Sequence, residues 1–94
     1  MKPKNLILRE LQQIPGIGKS IAHDLWSIGI RETADLRNKN PYNLYQKLNS
    51  VTGTTNDICL LYTLRCAVYY ATEPKHDRRK LDWWYWKNKR YNEK

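Results

Sequence analysis

Phenylalanine is absent from this chain, methionine occurs once, and valine and cysteine occur twice each. Leu, Ile and Val together make 20 of the 94 residues, close to the level at which strongly charged chains stay disordered. So short and aliphatic-poor a chain has no room for a large buried active site. Two cysteines do not make a disulfide framework. No apolar run approaches the roughly 20 residues that a membrane helix needs. Met1-Lys2-Pro3-Lys4-Asn5 leads only into Leu6-Ile7-Leu8 before Arg9-Glu10, which is no secretory signal, so a cytoplasmic protein is expected. Acidic residues are scarce, nine against 17 Lys and Arg, a net charge of +8. That balance points to an acidic partner, nucleic acid first, and to no membrane.

What is present offsets part of the shortage. Four Trp and seven Tyr each bury a large area. The expectation is a single domain over 1–94, with a helical core over 1–72 and a basic, Trp-rich tail over 73–94 packed on it. Ile7, Leu8 and Leu11 share one helix face, and Ile21, Leu25 and Ile28 another. Thr33 to Leu36 reads as one short helical turn. Asn40-Pro41 opens a helix carrying Leu44, Tyr45 and Leu48. Thr54 or Thr55 caps a long helix ending near Thr72. From Ile58 to Ala71 only Thr63 and Arg65 are not apolar, so that helix is expected at the centre.

Between the first two helices lies Ile14-Pro15-Gly16-Ile17-Gly18-Lys19-Ser20. Glycines let a turn tighten and a ligand approach without a Cβ in the way. The turn feeds a helix N-terminus, whose first amides lack partners and whose dipole favours an anion. Lys19 adds a full charge. The string resembles the helix-hairpin-helix DNA-binding motif. That resemblance implies phosphate contacts at Gly16, Ile17, Gly18, Lys19, Ser20 and Ile21. It also implies a monovalent cation on the carbonyls of Gln12, Ile14 and Ile17; no other cofactor is expected. Contacts of this kind carry no sequence information. Gly16-Ile17-Gly18-Lys19, Arg65-Cys66-Ala67-Val68-Tyr69-Tyr70-Ala71 and Trp83-Trp84-Tyr85-Trp86 together resemble the small bacterial pathogenicity locus proteins, some of them labelled mitomycin-resistance proteins. The resemblance implies an all-α, five-helix domain of sterile-alpha-motif-like shape, and DNA binding.

His23, one turn past Lys19, is a secondary candidate for DNA, as are Lys87, Lys89 and Arg90. Cys59 and Cys66 fall about 10 Å apart on one helix, too far for a mutual disulfide. No Cys-x-x-Cys or His-x-x-x-His spacing supports a metal site with His76, so the thiols are expected to pack as small hydrophobes. Arg65 requires a partner, with Asp24, Asp35 and Asp82 as candidates. At least two of Trp83, Trp84 and Trp86 are expected to dock on the core. No Ser-His-Asp order, metal quartet or carboxylate pair stands near a pocket motif, so a binding protein rather than an enzyme is expected.

Sliding the chain by 37 residues lays Ile7, Leu8, Leu11 and Ile14 on Leu44, Tyr45, Leu48 and Val51, and Gly16 on Gly53. The second turn lacks the second glycine and the lysine, and Asp57 brings a negative charge. The expectation is an internal duplicate with a degenerate second hairpin. The resulting function is sequence-independent DNA binding by an accessory factor in repair, recombination or protection, helped by a homodimer or a protein partner. The alternative is a protein-interaction module of the sterile-alpha-motif-like shape.

Overall fold

The computed structural model of the chain describes residues 2–87. It places four α-helices, α1 (Lys4–Leu11), α2 (Lys19–Ser27), α3 (Pro41–Thr52) and α4 (Ile58–Thr72), and no strand among the described residues. Three 3-10 turns, Thr33–Leu36, Arg78–Leu81 and Trp83–Trp86, complete them. The expected count of five helices is therefore corrected to four. The fifth, Thr33–Leu36, is a single 3-10 turn. Glu32 and Asp35 close it with a reciprocal capping box, and the left-handed Asn38 (φ 57°) follows directly. So short a span between those stops leaves no length for an α-helical ladder.

The helices pair in chain order: α1 packs on α2, α3 on α4, and α2 meets α3. Ile7 and Leu11 of α1, Ala22 and Leu25 of α2, Leu44 and Leu48 of α3, and Leu64 and Ala67 of α4 meet in one core. Ile14 and Ile17, the apolar positions of the first turn, are 1% and 4% exposed. Their side chains plug the core, so only their backbone atoms are available to a ligand.

Local chemistry sets the boundaries. The Asn40 side chain accepts from the Tyr42 and Asn43 amides at 2.9 and 3.3 Å, Pro41 fills the first position, and left-handed Gly53 (φ 72°) ends α3. The α4 cap is Asp57, whose carboxylate accepts from the Cys59 amide at 2.8 Å. Neither Thr54 nor Thr55 takes that role, because both stay in the turn, where the Thr54 carbonyl accepts from the Thr52 hydroxyl. At the other end, the Arg37 Nε–H donates to the Ala71 carbonyl and the His76 ring meets the Tyr70 carbonyl at 2.7 Å. These contacts satisfy carbonyls the helix itself leaves open.

Burial of α4 is concentrated in Thr63 to Ala67, while Ile58 is half exposed. The helix is central over its middle, not along its whole length. The tail completes the cover. Trp86 is buried, donates from Nε1 to the Lys80 carbonyl at 2.9 Å, and lies 5.7 Å from the Tyr69 ring. Trp84 remains 59% exposed, so Trp86 docks and Trp84 does not; the side chain of Trp83 lies outside what is described. Arg65 meets Trp86: Nη1 donates to its carbonyl at 3.4 Å, and the guanidinium lies 5.2 Å from the indole centroid. An aromatic face and a carbonyl are thus among its partners. Of the three candidates, Asp35 instead accepts from the Arg31 and Glu32 amides.

Candidate nucleic-acid interface

The first turn is built by four short backbone bonds. The amides of Gln12, Gln13, Ile14 and Ile17 donate to the carbonyls of Leu8, Glu10, Leu11 and Ile14 at 3.0–3.1 Å. The two glycines that follow differ in kind. Gly16 has φ +84°, and a Cβ there would stand 3.2 Å from Thr63 Cγ2. It is required by the backbone and by the approach of the turn to α4. Gly18 has φ −89° and ψ −174°, an extended conformation open to any residue. A Cβ on it would meet nothing within 4 Å. Packing therefore gives no reason for glycine at 18; the space in front of it is open.

Gly18 is the N-cap of α2 and offers no side-chain cap. The Ala22 amide is the first to close on the helix, donating to the Gly18 carbonyl at 2.9 Å. Among the described residues, the amides of Gly16, Gly18, Lys19, Ser20 and Ile21 donate to no protein acceptor. Gly16, Gly18, Lys19 and Ser20 are exposed, and Ile21 is half-buried. The result is a solvent-facing row of donors at the positive end of a helix, with the Lys19 ammonium beside it. Such a row suits an anion. Of the three expected cation-binding carbonyls, that of Ile14 accepts from Ile17. Those of Gln12 and Ile17 accept from no donor among the described residues.

The second turn is sealed. Asn49 Oδ1 accepts from both the backbone and the side-chain nitrogens of Asn56, at 2.8 and 2.7 Å. The Tyr45 hydroxyl donates to the Asn56 carbonyl. The Cys59 amide holds the Asp57 carboxyl below its usual range, so the N-terminus of α4 already carries its own anion. Gly53 preserves the left-handed corner, and nothing about it invites a phosphate.

The remaining candidates separate. His23 lies on the same helix as the first turn, exposed, with its Nε2 3.2 Å from the Lys4 ammonium. Lys19, Ser20 and His23 line one shallow groove with Leu8 and Asp24. Lys87 belongs elsewhere, lining a cleft with Asn40, Tyr42, Ile58 and Arg65 at α3 and α4. Lys89 and Arg90 lie outside the described residues. Both thiols are held protonated. Burial pushes Cys66 up to about 12, and the hydrogen bond with Asp57 raises Cys59. Among the described residues, no three His, Cys, Asp or Glu side chains gather as a metal site would require. No helix among them is long and apolar enough to cross a membrane. Sequence reasoning missed the Gly16–Thr63 contact and a group of cations around Trp26. The i, i+4, i+7 spacing of Lys19, His23 and Trp26 was the available signal for the second.

These features define a small, basic, all-helical protein with one open and one sealed turn-to-helix junction. The chain belongs to the pathogenicity locus family, whose model matches residues 4–92. It is 37% identical over 62 residues to mitomycin resistance protein McrB of Streptomyces lavendulae, covering 66% of this chain and 59% of that protein. It is 32% identical over 72 residues to the DNA polymerase IV of Saccharolobus solfataricus and to that of Sulfolobus acidocaldarius, covering 77% of this chain. Each polymerase is matched over 18% of its length, so the chain resembles one segment of those enzymes. No solved structure matches.

Proposed function

We propose that this chain binds DNA without sequence preference, holding backbone phosphate at a helix-hairpin-helix element formed by α1, the first turn and α2. The observation that carries this reading is the open face at residue 18: glycine without a conformational need for it, leading into uncapped amides. Phosphate takes the amides of Gly16, Gly18, Ser20 and Ile21, and Lys19 adds a charge at the rim. A monovalent cation, if bound, would be held by the carbonyls of Gln12 and Ile17 and would supply positive charge beside the phosphate. The likeness to a segment of enzymes that are DNA polymerases by name supports a role at DNA, as does the net charge of +8. The second hairpin, sealed by Asp57 and Asn49, is a degenerate copy that contributes shape rather than contacts. One hairpin gives weak binding, in the range of ~10⁻⁴–10⁻⁶ M typical of non-specific complexes. An accessory role in repair, recombination or protection of DNA, without a catalytic centre of its own, fits such an affinity.

A protein-interaction module is favoured by one observation, the 59% exposure of Trp84. Salt discriminates between the two. DNA affinity falls steeply as salt rises, whereas an aromatic protein interface hardly responds. The direct test is duplex binding by Gly18→Val, which fills the open space, and by Lys19→Glu, which opposes phosphate. Each is expected to weaken binding about ten-fold or more at low salt, roughly the effect of losing one phosphate contact. Unchanged affinity in both variants overturns the proposal.

A further inference from the structure

Outside the first turn, the described residues hold a second gathering of cations around Trp26, near the C-terminal end of α2. The Lys4 ammonium stands 4.2 Å from the Trp26 ring centroid, and the Arg31 guanidinium 4.5 Å from it. Arg31 is held in place by its own donors, Nη1 bonding the carbonyls of Trp26 and Ile30. Lys4 is held by His23 at 3.2 Å, and the His23 ring lies 6.2 Å from Trp26. Four elements of local sequence converge here: the start of α1, the middle of α2, its last turn and the segment after Gly29.

Three of the neighbouring acids are engaged elsewhere. Glu10 takes the Lys2 ammonium at 2.8 Å and the Thr33 amide at 2.7 Å. Asp35 takes the amides of Arg31 and Glu32, and Glu32 closes the capping box and faces Lys2 at 3.9 Å. Asp24 lines the adjoining groove beside His23. Among the described residues neither Lys4 nor Arg31 forms an ion pair with a carboxylate. Two cations over one ring lie within about 9 Å of each other, which costs repulsion that no ion pair among the described residues relieves. Cation–aromatic contact fixes both side chains in advance and so lowers the entropy cost of ordering them on a ligand.

Position gives this cluster its partner. Lys19, His23 and Trp26 follow one another along a single face of α2 at i, i+4 and i+7, leading from the first turn to Arg31. A DNA strand carries a phosphate at every 3.4 Å of helix rise, so two fixed cations no more than about 9 Å apart can each meet a phosphate of one strand. We infer that Lys4, His23 and Arg31, gathered around Trp26, form a second phosphate-binding cluster that continues the path of the strand held at the first turn. This inference rests on the DNA-binding reading above and extends it along α2. Trp26 is the positioning residue: it orders the cations and does not itself stack on a base.

The test is duplex binding by the full chain across a salt series. Lys4→Gln with Arg31→Gln is compared with wild type and with Lys39→Gln plus Lys47→Gln, which removes equal charge from other exposed sites. Removing two phosphate contacts flattens the slope of log K against log salt by about 1.8 and weakens binding about ten-fold or more at low salt. The control pair is expected to leave the slope within about 0.5 of wild type, since it removes no phosphate contact. A wild-type slope in the Lys4/Arg31 variant, with Lys19→Glu still weakening binding, overturns the cluster and leaves the first turn standing. Equal losses in the cluster and control pairs overturn it too, because net charge alone then accounts for the effect. Full binding by both Lys19→Glu and the cluster variant overturns the cluster together with the reading beneath it.

Discussion

A methyl group added at residue 16 and one added at residue 18 meet different surroundings, and that difference separates fold from function within one turn. Gly16→Ala places an L side chain at φ +84° and 3.2 Å from Thr63. It is expected to cost about 1–2 kcal/mol, seen as a lowered denaturation midpoint with an unchanged m-value. Gly18→Ala meets open space at an ordinary φ and should cost less than about 1 kcal/mol, while the bulkier Gly18→Val acts on DNA affinity. Sequence alone treated the two glycines as equals, because the spacing of a motif does not contain the backbone angle or the distance to Thr63, 47 residues further on. Cys66 was more legible: the lack of metal-ligand spacing already argued for packing, and it is buried, whereas Cys59 is only half-buried. Burial raises Cys66 from the ordinary thiol value near 9 to about 12. The protonated thiol is thus favoured in the folded state, and its contribution to stability is complete below pH 9 and lost as pH rises from 9 towards 12. The stability difference between wild type and Cys66→Ala should therefore narrow over that window, by up to about 1.4 kcal/mol per pH unit. A difference constant in pH would show that Cys66 ionises freely. Neither thiol should react with a thiol reagent before denaturation.

At the scale of elements, the starts of α2 and α3 and the end of α4 were legible because each carries its own punctuation: Gly18-Lys19, Asn40-Pro41 and Glu73-Pro74. The start of α4 was misjudged by two or three residues because three hydroxyl or carboxyl side chains in succession could cap it. Asp57 has the position, since its carboxylate reaches the Cys59 amide while Thr54 stays in the turn. Thr33–Leu36 carried a helical pattern without the length to make a helix. Ser20→Glu puts a negative charge beside the open amides of α2 and is expected to weaken duplex binding about ten-fold or more, as the loss of a phosphate contact would. Asn56→Glu puts the same charge at the sealed turn and should leave affinity within about two-fold of wild type. Equal losses, measured by fluorescence titration at one salt concentration, would mean that both turns carry phosphate and that the second is not degenerate.

At the scale of the whole molecule, a chain short of aliphatics covers α4 with its own C-terminal aromatics. The net charge was fully legible, and so was the need for aromatic cover. Which indole would bury was not, since Trp84 and Trp86 stand two residues apart in similar company and differ by their rotation about a 3-10 turn. Removing residues 74–94 takes away Trp86, Tyr85 and the Lys80 carbonyl that holds both Trp86 and Cys66. Loss of one large core aromatic costs about 3–5 kcal/mol, against a typical domain stability of about 5–15 kcal/mol. The truncated chain should therefore lose its cooperative thermal transition, and a transition at the full-length temperature would show that the tail adds nothing to the fold. The central claim is that DNA phosphate rests on the amides of the first turn, and amide chemical shifts of the ¹⁵N-labelled full chain, titrated with a short duplex, test it most directly. The account predicts progressive shifts at Gly16, Gly18, Ser20 and Ile21, with Gly53 to Cys59 unmoved. Shifts confined to residues away from the first turn, or none at saturating duplex, would contradict it.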